Sequence, residues 1–375
     1  MNVDILACPA CKSALQLMHG EWVCDSCGTV ALQRQGIADF LYDTPEIRLA
    51  NEGSWNLAQD QHIGLRLLEL FDQHTYVELR EHARLLRTDA DGFVSDPHAR
   101  LLTGRLALRA QRRFTRRYER VADEVGRGHG EQMLHKIETR LRDLGQSPMP
   151  AHLAIELGGG DGQYLLGFAN RFEHVLFVDG SLVNVVLARA MARDDGVTNV
   201  SFLRSDITVL PITSSVASMV HANGVIEHVS DPVALVTEGV RVTHRDGCSV
   251  IVSPNRIPVT IEPHFRLPLF GLIPKAVRVR LIAVSRGKES EAGTQLLTIW
   301  RLRLTLQRAN AAWDVFVIPR GISSTARQTM LRSIVARAMR SPLGAVADWL
   351  INRALLPIAH SHIAIGQRSQ YPSVP

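Results

Sequence analysis

The sequence predicts an α/β fold, a doubly wound, mostly parallel sheet behind a small zinc ribbon and a helical region. Three observations carry that expectation. From His152 onward, short apolar runs alternate with helix-period segments, the pattern of parallel strands joined by crossover helices. Four of the five cysteines fall within the first 27 residues as two CxxC pairs. Between these zones lies a stretch rich in Arg, Leu and His with helical spacing. The expected boundaries are 1–43 for the ribbon, 44–150 for the helical region and 151–368 for the sheet domain.

A chain of 375 residues, 46% apolar and 21% charged, is long enough to bury a core in two or three domains. The net charge of +5 admits an acidic partner without requiring one. "MNVDILACPA" lacks a basic head followed by an apolar run. No stretch reaches the roughly 18–20 uninterrupted apolar residues of a membrane span. The nearest, 341–359, carries Asp348 and Arg353. It reads as a helix covering the sheet, with peripheral membrane contact as the alternative. Cysteines clustered in CxxC pairs rather than spread along the chain point to a reducing, cytoplasmic setting. Cys248, alone in an apolar run, reads as a packed thiol preceding a strand.

In the first zone, Cys8 and Cys11 are followed, after twelve residues, by Cys24 and Cys27. Each CxxC turn can aim two thiolates at one ion, and the intervening residues suit a hairpin that returns the second pair. Four sulfurs suit a closed, structural Zn²⁺ site. A redox role would need only one pair. So small a piece has little core of its own, which is why a metal would be needed.

The helical zone includes 100–120, with eight Arg against one Glu. The choice there lies between an RNA-facing helix and a solvated helical face. The aromatic residues Phe114 and Tyr118 fit the apolar stripe, which favours the solvated face.

In the third zone, strands are expected at 152–157, 174–178, 200–203, 216–221 and 249–253. Helices are expected at 163–171, 182–193 and 233–242, and late strands at 313–319 and 361–367. "AIELGGGDGQYLL" places Glu156 at a strand end, followed by Gly158, Gly159, Gly160 and Gly162 and then a helix. That is the setting in which a nucleotide-like ligand meets bare backbone. The glycines alone are a weak signal, one residue away from the dinucleotide fingerprint. The acids discriminate better. Asp179 closes the second strand, where a carboxylate can accept from ribose hydroxyls, and Asp206 follows the third, within reach of an adenine amino group. Asn223, Glu227 and His228 follow the fourth.

The series E-L-G-G-G-D-G, V-D-G-S, S-D-I and N-G-V-I-E-H-V-S-D-P resembles, in order and spacing, the class I S-adenosylmethionine-dependent methyltransferases. It is most similar to their small-molecule branch with a V-x-E-H signature. The resemblance is close over 151–256 and loose to about 367. It implies a seven-stranded Rossmann-like sheet with S-adenosylmethionine as cofactor. Glu156, Gly158 and Gly160 would surround the methionine part, Asp179 and Gly180 the ribose, and Asp206 with Ile207 the adenine. Asn223 and Gly224 would line the pocket near the sulfonium. Acids at Glu156 and Asp161 would repel a pyrophosphate but tolerate a cationic methionine end, which favours this cofactor over a nicotinamide dinucleotide. The N-terminal "CPACKSAL" and "QGIADFL" resemble the small zinc-ribbon family that activates tRNA and protein methyltransferases, with Ala38 where proline is usual.

The acceptor is expected under a lid around 254–290, at the carboxyl ends of the strands. Between 263 and 288 there are six Lys or Arg and no acid, which suits a phosphate- or carboxylate-bearing substrate. His228 and His264 are the candidate general bases, since a neutral imidazole can take a hydroxyl proton near pH 7. A lone histidine that packs or caps a helix is the competing reading of each. The expected reaction is O-, N- or C-methylation of a small-molecule, lipid-linked or glycan-linked acceptor. RNA is the rival substrate and partner, held by the ribbon and the Arg-rich helix.

Overall fold

The computed structural model describes residues 5–41, 57–91, 128–256, 277, 296–309, 311–316 and 361–367. The expected Arg-rich helix at 100–120, nearly all of the lid including His264, and the 341–359 segment lie outside the described residues.

The N-terminal part is a four-stranded antiparallel meander: β1 (Gln16–Met18), β2 (Glu21–Cys24), β3 (Gly28–Arg34) and β4 (Ile37–Asp39). Three α-helices follow among the described residues: α1 (Leu57–Leu70), α2 (Tyr76–Asp91) and α3 (128–143). The sheet domain then runs β5 (Leu153–Leu157), α4 (Leu165–Arg171), β6 (His174–Asp179), α5 (Leu182–Asp194), β7 (Val200–Arg204), β8 (Ala217–Asn223), α6 (Pro232–Val242) and β9 (Thr243–Pro254). Its last described elements are α7 (Ile299–Gln307), β10 (Ala312–Phe316) and β11 (Ser361–Gln367).

Strand order across the domain is β7-β6-β5-β8-β9-β11-β10. The first five are mutually parallel; β11 runs antiparallel to β9 and to β10. These are the seven expected strands, mostly parallel. The chain reverses direction across the sheet between β5 and β8, and that switch point is where open α/β sheets hold ligands.

The sheet does not stop at β7. Strand β4 of the ribbon pairs with it in parallel, Ile37 beside Phe202 and Asp39 beside Arg204, giving one sheet of eleven strands.

Alternate strand residues face opposite layers, as a pleat requires. Ala154, Val175, Phe177, Met219 and Val250 pack toward the α1–α5 layer. Ile155, Leu176, Val178, Val220 and Ile251 pack with α6 and α7, and on that face Leu6, Trp22 and Phe40 of the ribbon join the same core. Helix α3 crosses α4 so closely that a Cβ on Gly130 would lie 2.5 Å from the Tyr164 carbonyl oxygen.

Some boundaries differ from expectation for local reasons. Helix α4 begins at Leu165 rather than Gln163, because the glycine turn with Gly162 at φ +84° continues to Tyr164. Strand β9 begins at Thr243, so Cys248 lies inside it rather than before it. The polar stretch His244–Gly247 is absorbed as an irregularity, where two residues of β8 oppose several of β9. Asn223 is the last residue of β8 rather than the first after it.

Candidate functional site

The four cysteine sulfurs of the ribbon lie within 4.8 Å of one another. Cys11 Sγ is 3.5 Å from Cys24 Sγ and 3.7 Å from Cys27 Sγ. Four thiolates about 2.3 Å from a tetrahedral ion are separated by roughly 3.8 Å. The cluster therefore fits zinc, with Cys8 and Cys24 buried and Cys11 and Cys27 exposed. The two knuckles share a backbone device: the residue after each second cysteine, Lys12 at φ +60° and Gly28 at φ +78°, is left-handed and turns the chain back. Lys12 spans to the sheet domain, donating to the Leu210 carbonyl at 3.0 Å.

At the switch point, the loop after β5 is held by its backbone. Gly158 N donates to Val178 O at 2.7 Å, and Gly158 and Gly160 take φ +63° and +58°. These glycines differ in what surrounds them. A Cβ on Gly158 would come within 2.4 Å of Val225, whereas one on Gly160 would meet nothing within 4 Å. The space above Gly160 is open, and a ligand can lie there.

Asp179, at the end of β6, accepts from Gly160 N at 3.0 Å and from Ser181 N at 2.8 Å, and Asn184 Nδ2 approaches both its oxygens at 3.4 Å. Burial pushes its carboxyl up to about 6, against the pull of these donors. Ser181 caps α5 and donates to Asp60 of α1 at 2.5 Å, and Asp60 also accepts from Leu182 N at 2.8 Å. The helical region thus reaches into the loop that carries Asp179 and Gly180.

Glu156 is 1% exposed, and neither carboxyl oxygen has a hydrogen-bond partner among the described residues. Burial holds its carboxyl well above the usual range, and Asp179 and Asp161 add to the shift. Beside it in register on β8 is His221, fully buried, with both ring nitrogens unbonded among the described residues. Burial lowers the His221 imidazole to about 3. A neutral ring gives Glu156 no counter-charge. The orphaned carboxyl and the open space at Gly160 fit the ammonium-bearing methionine end of S-adenosylmethionine.

The other predicted residues converge on the same end of the sheet. Asp206 follows β7, its Oδ1 accepting from Thr208 N at 2.8 Å and Thr208 Oγ1 at 2.7 Å, next to buried Ile207. Asn223 Nδ2 donates to the Tyr164 hydroxyl. Gly224 N donates to Val252 O at 2.9 Å, with φ +65°. Glu227 is fully buried, and His228, 41% exposed at its side chain, brings Nε2 to 4.0 Å from Glu227 Oε1.

Sequence reading passed over Tyr164 and His221, whose rings meet edge-on at 4.8 Å. It also passed over Asp39 and Arg204. Arg204, fully buried, sends NH1 to both oxygens of Asp39 at 3.3 Å and Nε to the Gly180 carbonyl at 3.1 Å. The available signal was a charge inside each apolar strand, in "IADFL" and "FLRSD", since a buried charge needs a partner.

A doubly wound sheet, a glycine turn at its switch point and acids at successive strand ends define the class of S-adenosylmethionine-dependent methyltransferases. Comparison with known families agrees. Residues 155–251 match the family model described as methyltransferase domain, and residues 3–30 match that of the Trm112p-like protein. The chain is a methyltransferase carrying a Trm112p-like zinc ribbon, with S-adenosylmethionine and structural zinc as its cofactors. No curated protein matches its sequence.

Among solved structures, the chain is similar to the YcgJ protein of Bacillus subtilis, at 17% identity over 63% of this chain and 100% of that one, with a TM-score of 0.38. It is similar to phosphoethanolamine N-methyltransferase 2 of Haemonchus contortus bound to S-adenosyl-L-methionine, at 11% identity over 63% of this chain and 53% of that one, TM-score 0.41. The geranyl diphosphate C-methyltransferase of Streptomyces coelicolor A3(2) is 16% identical over 63% of this chain and 76% of that one, TM-score 0.39.

Proposed function

We propose that this methyltransferase acts on a small-molecule, lipid-linked or glycan-linked acceptor through a hydroxyl, amine or carbon. The observation supporting this reading is a group of buried polar side chains near the strand ends. Glu227, Ser253, Asn255 and His362 are all essentially without solvent exposure at the carboxyl ends of β8 and β9 and the start of β11. A secluded polar setting suits one functional group on a small acceptor, whereas a polymer would have to extrude a unit to reach it. The basic lid segment at 263–288 complements a phosphate or carboxylate on that acceptor.

In this reading, Glu156 holds the cofactor ammonium, with Gly158 and Gly160 leaving room for the methionine chain. Asp179 and the Gly180 backbone hold the ribose, Asp206 and Ile207 the adenine, and Asn223 with Gly224 border the reacting centre. Bound S-adenosylmethionine supplies an electrophilic methyl group on a sulfonium. The chain's own work is to hold the acceptor in line and to remove a proton where the acceptor carries one. His228 Nε2 takes that proton, and the nearby Glu227 carboxylate stabilises the imidazolium that forms. His264 is the second candidate base.

The first experiment is transfer of labelled methyl from S-adenosylmethionine into a cell extract divided into RNA, lipid, glycan and small-molecule pools. Label in one of the last three supports the reading; ribonuclease-sensitive label replaces it with the RNA alternative. His228→Gln should then lower kcat by about 100-fold with cofactor affinity unchanged. An unchanged kcat would leave proximity as the sole contribution of this chain to the chemical step.

A further inference from the structure

We propose that the outer face of α7 docks the protein onto an anionic lipid surface. The helix buries Ile299, Leu302 and Leu306 against the α6 face of the sheet. Its opposite side sets two large apolar residues among the exposed Arg301, Arg303, Gln307 and Arg308. Trp300 is 61% exposed and Leu304 is 53% exposed. Trp300 is the one aromatic residue among the exposed large apolar side chains of the described residues.

At about 100° per residue, Trp300 and Leu304 fall about 40° apart and form a single outward stripe. Arg303 lies on one side of that stripe, and Arg301 and Arg308 lie on the other. All three are exposed. From Leu296 to Ala309 there is no acidic residue.

An exposed apolar pair that includes an aromatic, with arginines on both sides of it, is an arrangement that suits an interfacial helix. The pair enters the headgroup layer while the guanidinium groups meet phosphates. The charge complement is a negatively charged bilayer. A neutral protein groove would leave the arginines without partners, and no helix among the described residues is long and apolar enough to cross a membrane.

The location gives the face a use. Leu297 bridges to Asn255 at the carboxyl end of β9, and its carbonyl accepts from Arg256 N at 2.9 Å. Trp300 therefore sits three residues beyond the rim on which the acceptor is proposed to arrive. A protein seated through α7 keeps that rim at the lipid surface. This use rests on the lipid-linked branch of the proposed function; the docking itself does not.

The test is co-sedimentation of the full-length, zinc-loaded protein with phosphatidylcholine vesicles, with and without one-third phosphatidylglycerol. Binding is expected to the anionic vesicles alone and to weaken as salt rises. The double variant Trp300→Ala, Leu304→Ala should lower partitioning by about tenfold or more. Each of Arg301→Ala, Arg303→Ala and Arg308→Ala should lower it about fivefold. Circular dichroism and S-adenosylhomocysteine affinity of these surface variants should match the parent.

The proposal fails if the parent ignores anionic vesicles or if the double variant binds them equally well. It fails also if the variants lose RNA binding or self-association while vesicle binding was never present. A protein that binds S-adenosylhomocysteine but no vesicle refutes docking and leaves methyl transfer standing. One that binds vesicles but not S-adenosylhomocysteine supports docking and overturns the enzymatic reading.

Discussion

Asp39 and Glu156 are equally hidden carboxylates, each 1% exposed, at the ends of strands in one sheet, yet their surroundings are opposite. Asp39 accepts from Arg204 at 3.3 Å and from Leu41 N at 3.0 Å, and Arg34 Nε forms an ion pair with it at 3.3 Å. Among the described residues Glu156 has no such partner; its neighbours in the sheet are Phe177 and His221, and the charges of Asp179 and Asp161 push its carboxyl further up. Desolvating a carboxylate costs several kcal/mol unless partners compensate. The ribbon junction therefore holds a charge whose partners are part of the fold. At the other end, Glu156 is the acid proposed to meet its partner in a bound cofactor.

The comparison can be broken most severely by removing the metal. Structural zinc contributes about 10 kcal/mol or more to the folding of such a ribbon. Chelation, or Cys24→Ser, should unfold β1–β4 and release Asp39 from Arg204. Since Arg204 also holds the Gly180 carbonyl, S-adenosylhomocysteine affinity should fall as well. Calorimetry on zinc-free protein checks this, and full affinity without zinc would show that the junction and the cofactor end are independent.

Arg204→Met is the next largest change. It leaves Asp39 buried beside a single remaining cation, and stability in urea should drop by about 3–5 kcal/mol. Adding Asp39→Leu should restore much of that loss, because the penalty lies in the stranded charge.

Glu156→Gln should act with the opposite sign on stability. Removing a carboxyl whose ionised form burial penalises should raise the unfolding midpoint of the cofactor-free protein, while S-adenosylhomocysteine binding weakens by about 2 kcal/mol. A variant that lost both would place Glu156 among the structural acids.

The smallest effect is graded by pH. Asp179 is raised from 3.8 to about 6 in the folded protein. Between these values the folded cofactor-free protein keeps a proton that the unfolded chain has released. Its contribution to stability therefore declines as pH rises through that window. Accepting from ribose hydroxyls requires the ionised form. Affinity for S-adenosylhomocysteine should thus fall about tenfold per pH unit below about pH 6, and a flat profile from pH 7 to 5 would remove Asp179 from the binding set.

Much of this was legible in the sequence. The two CxxC pairs, the strands implied by alternating segments, and the acids at Glu156, Asp179 and Asp206 near strand ends are visible within windows of a few residues. Ser361–Gln367 reads as a strand from its own alternation and is one. What the sequence conceals is pairing across distance. Nothing near Asp39 names Arg204, 165 positions away, and nothing in "VHANG" reveals that His221 lies beside Glu156. The long β9 was hidden as well, because four polar residues interrupt an apolar pattern that the neighbouring strand nevertheless carries through.

The junction of β4 with β7 also sets an order of events during synthesis. Ile37 leaves the ribosome 165 residues ahead of Phe202, its partner. At about 5–20 residues per second, the ribbon waits roughly 8–33 s for the strand that completes its edge. Over that interval metal coordination is the local means of holding the four cysteines in place, and the β4 edge stays open to other extended chains. A nascent ribbon that reaches zinc early meets β7 as a preformed template. One that does not presents an unpaired strand throughout the translation of the helical region.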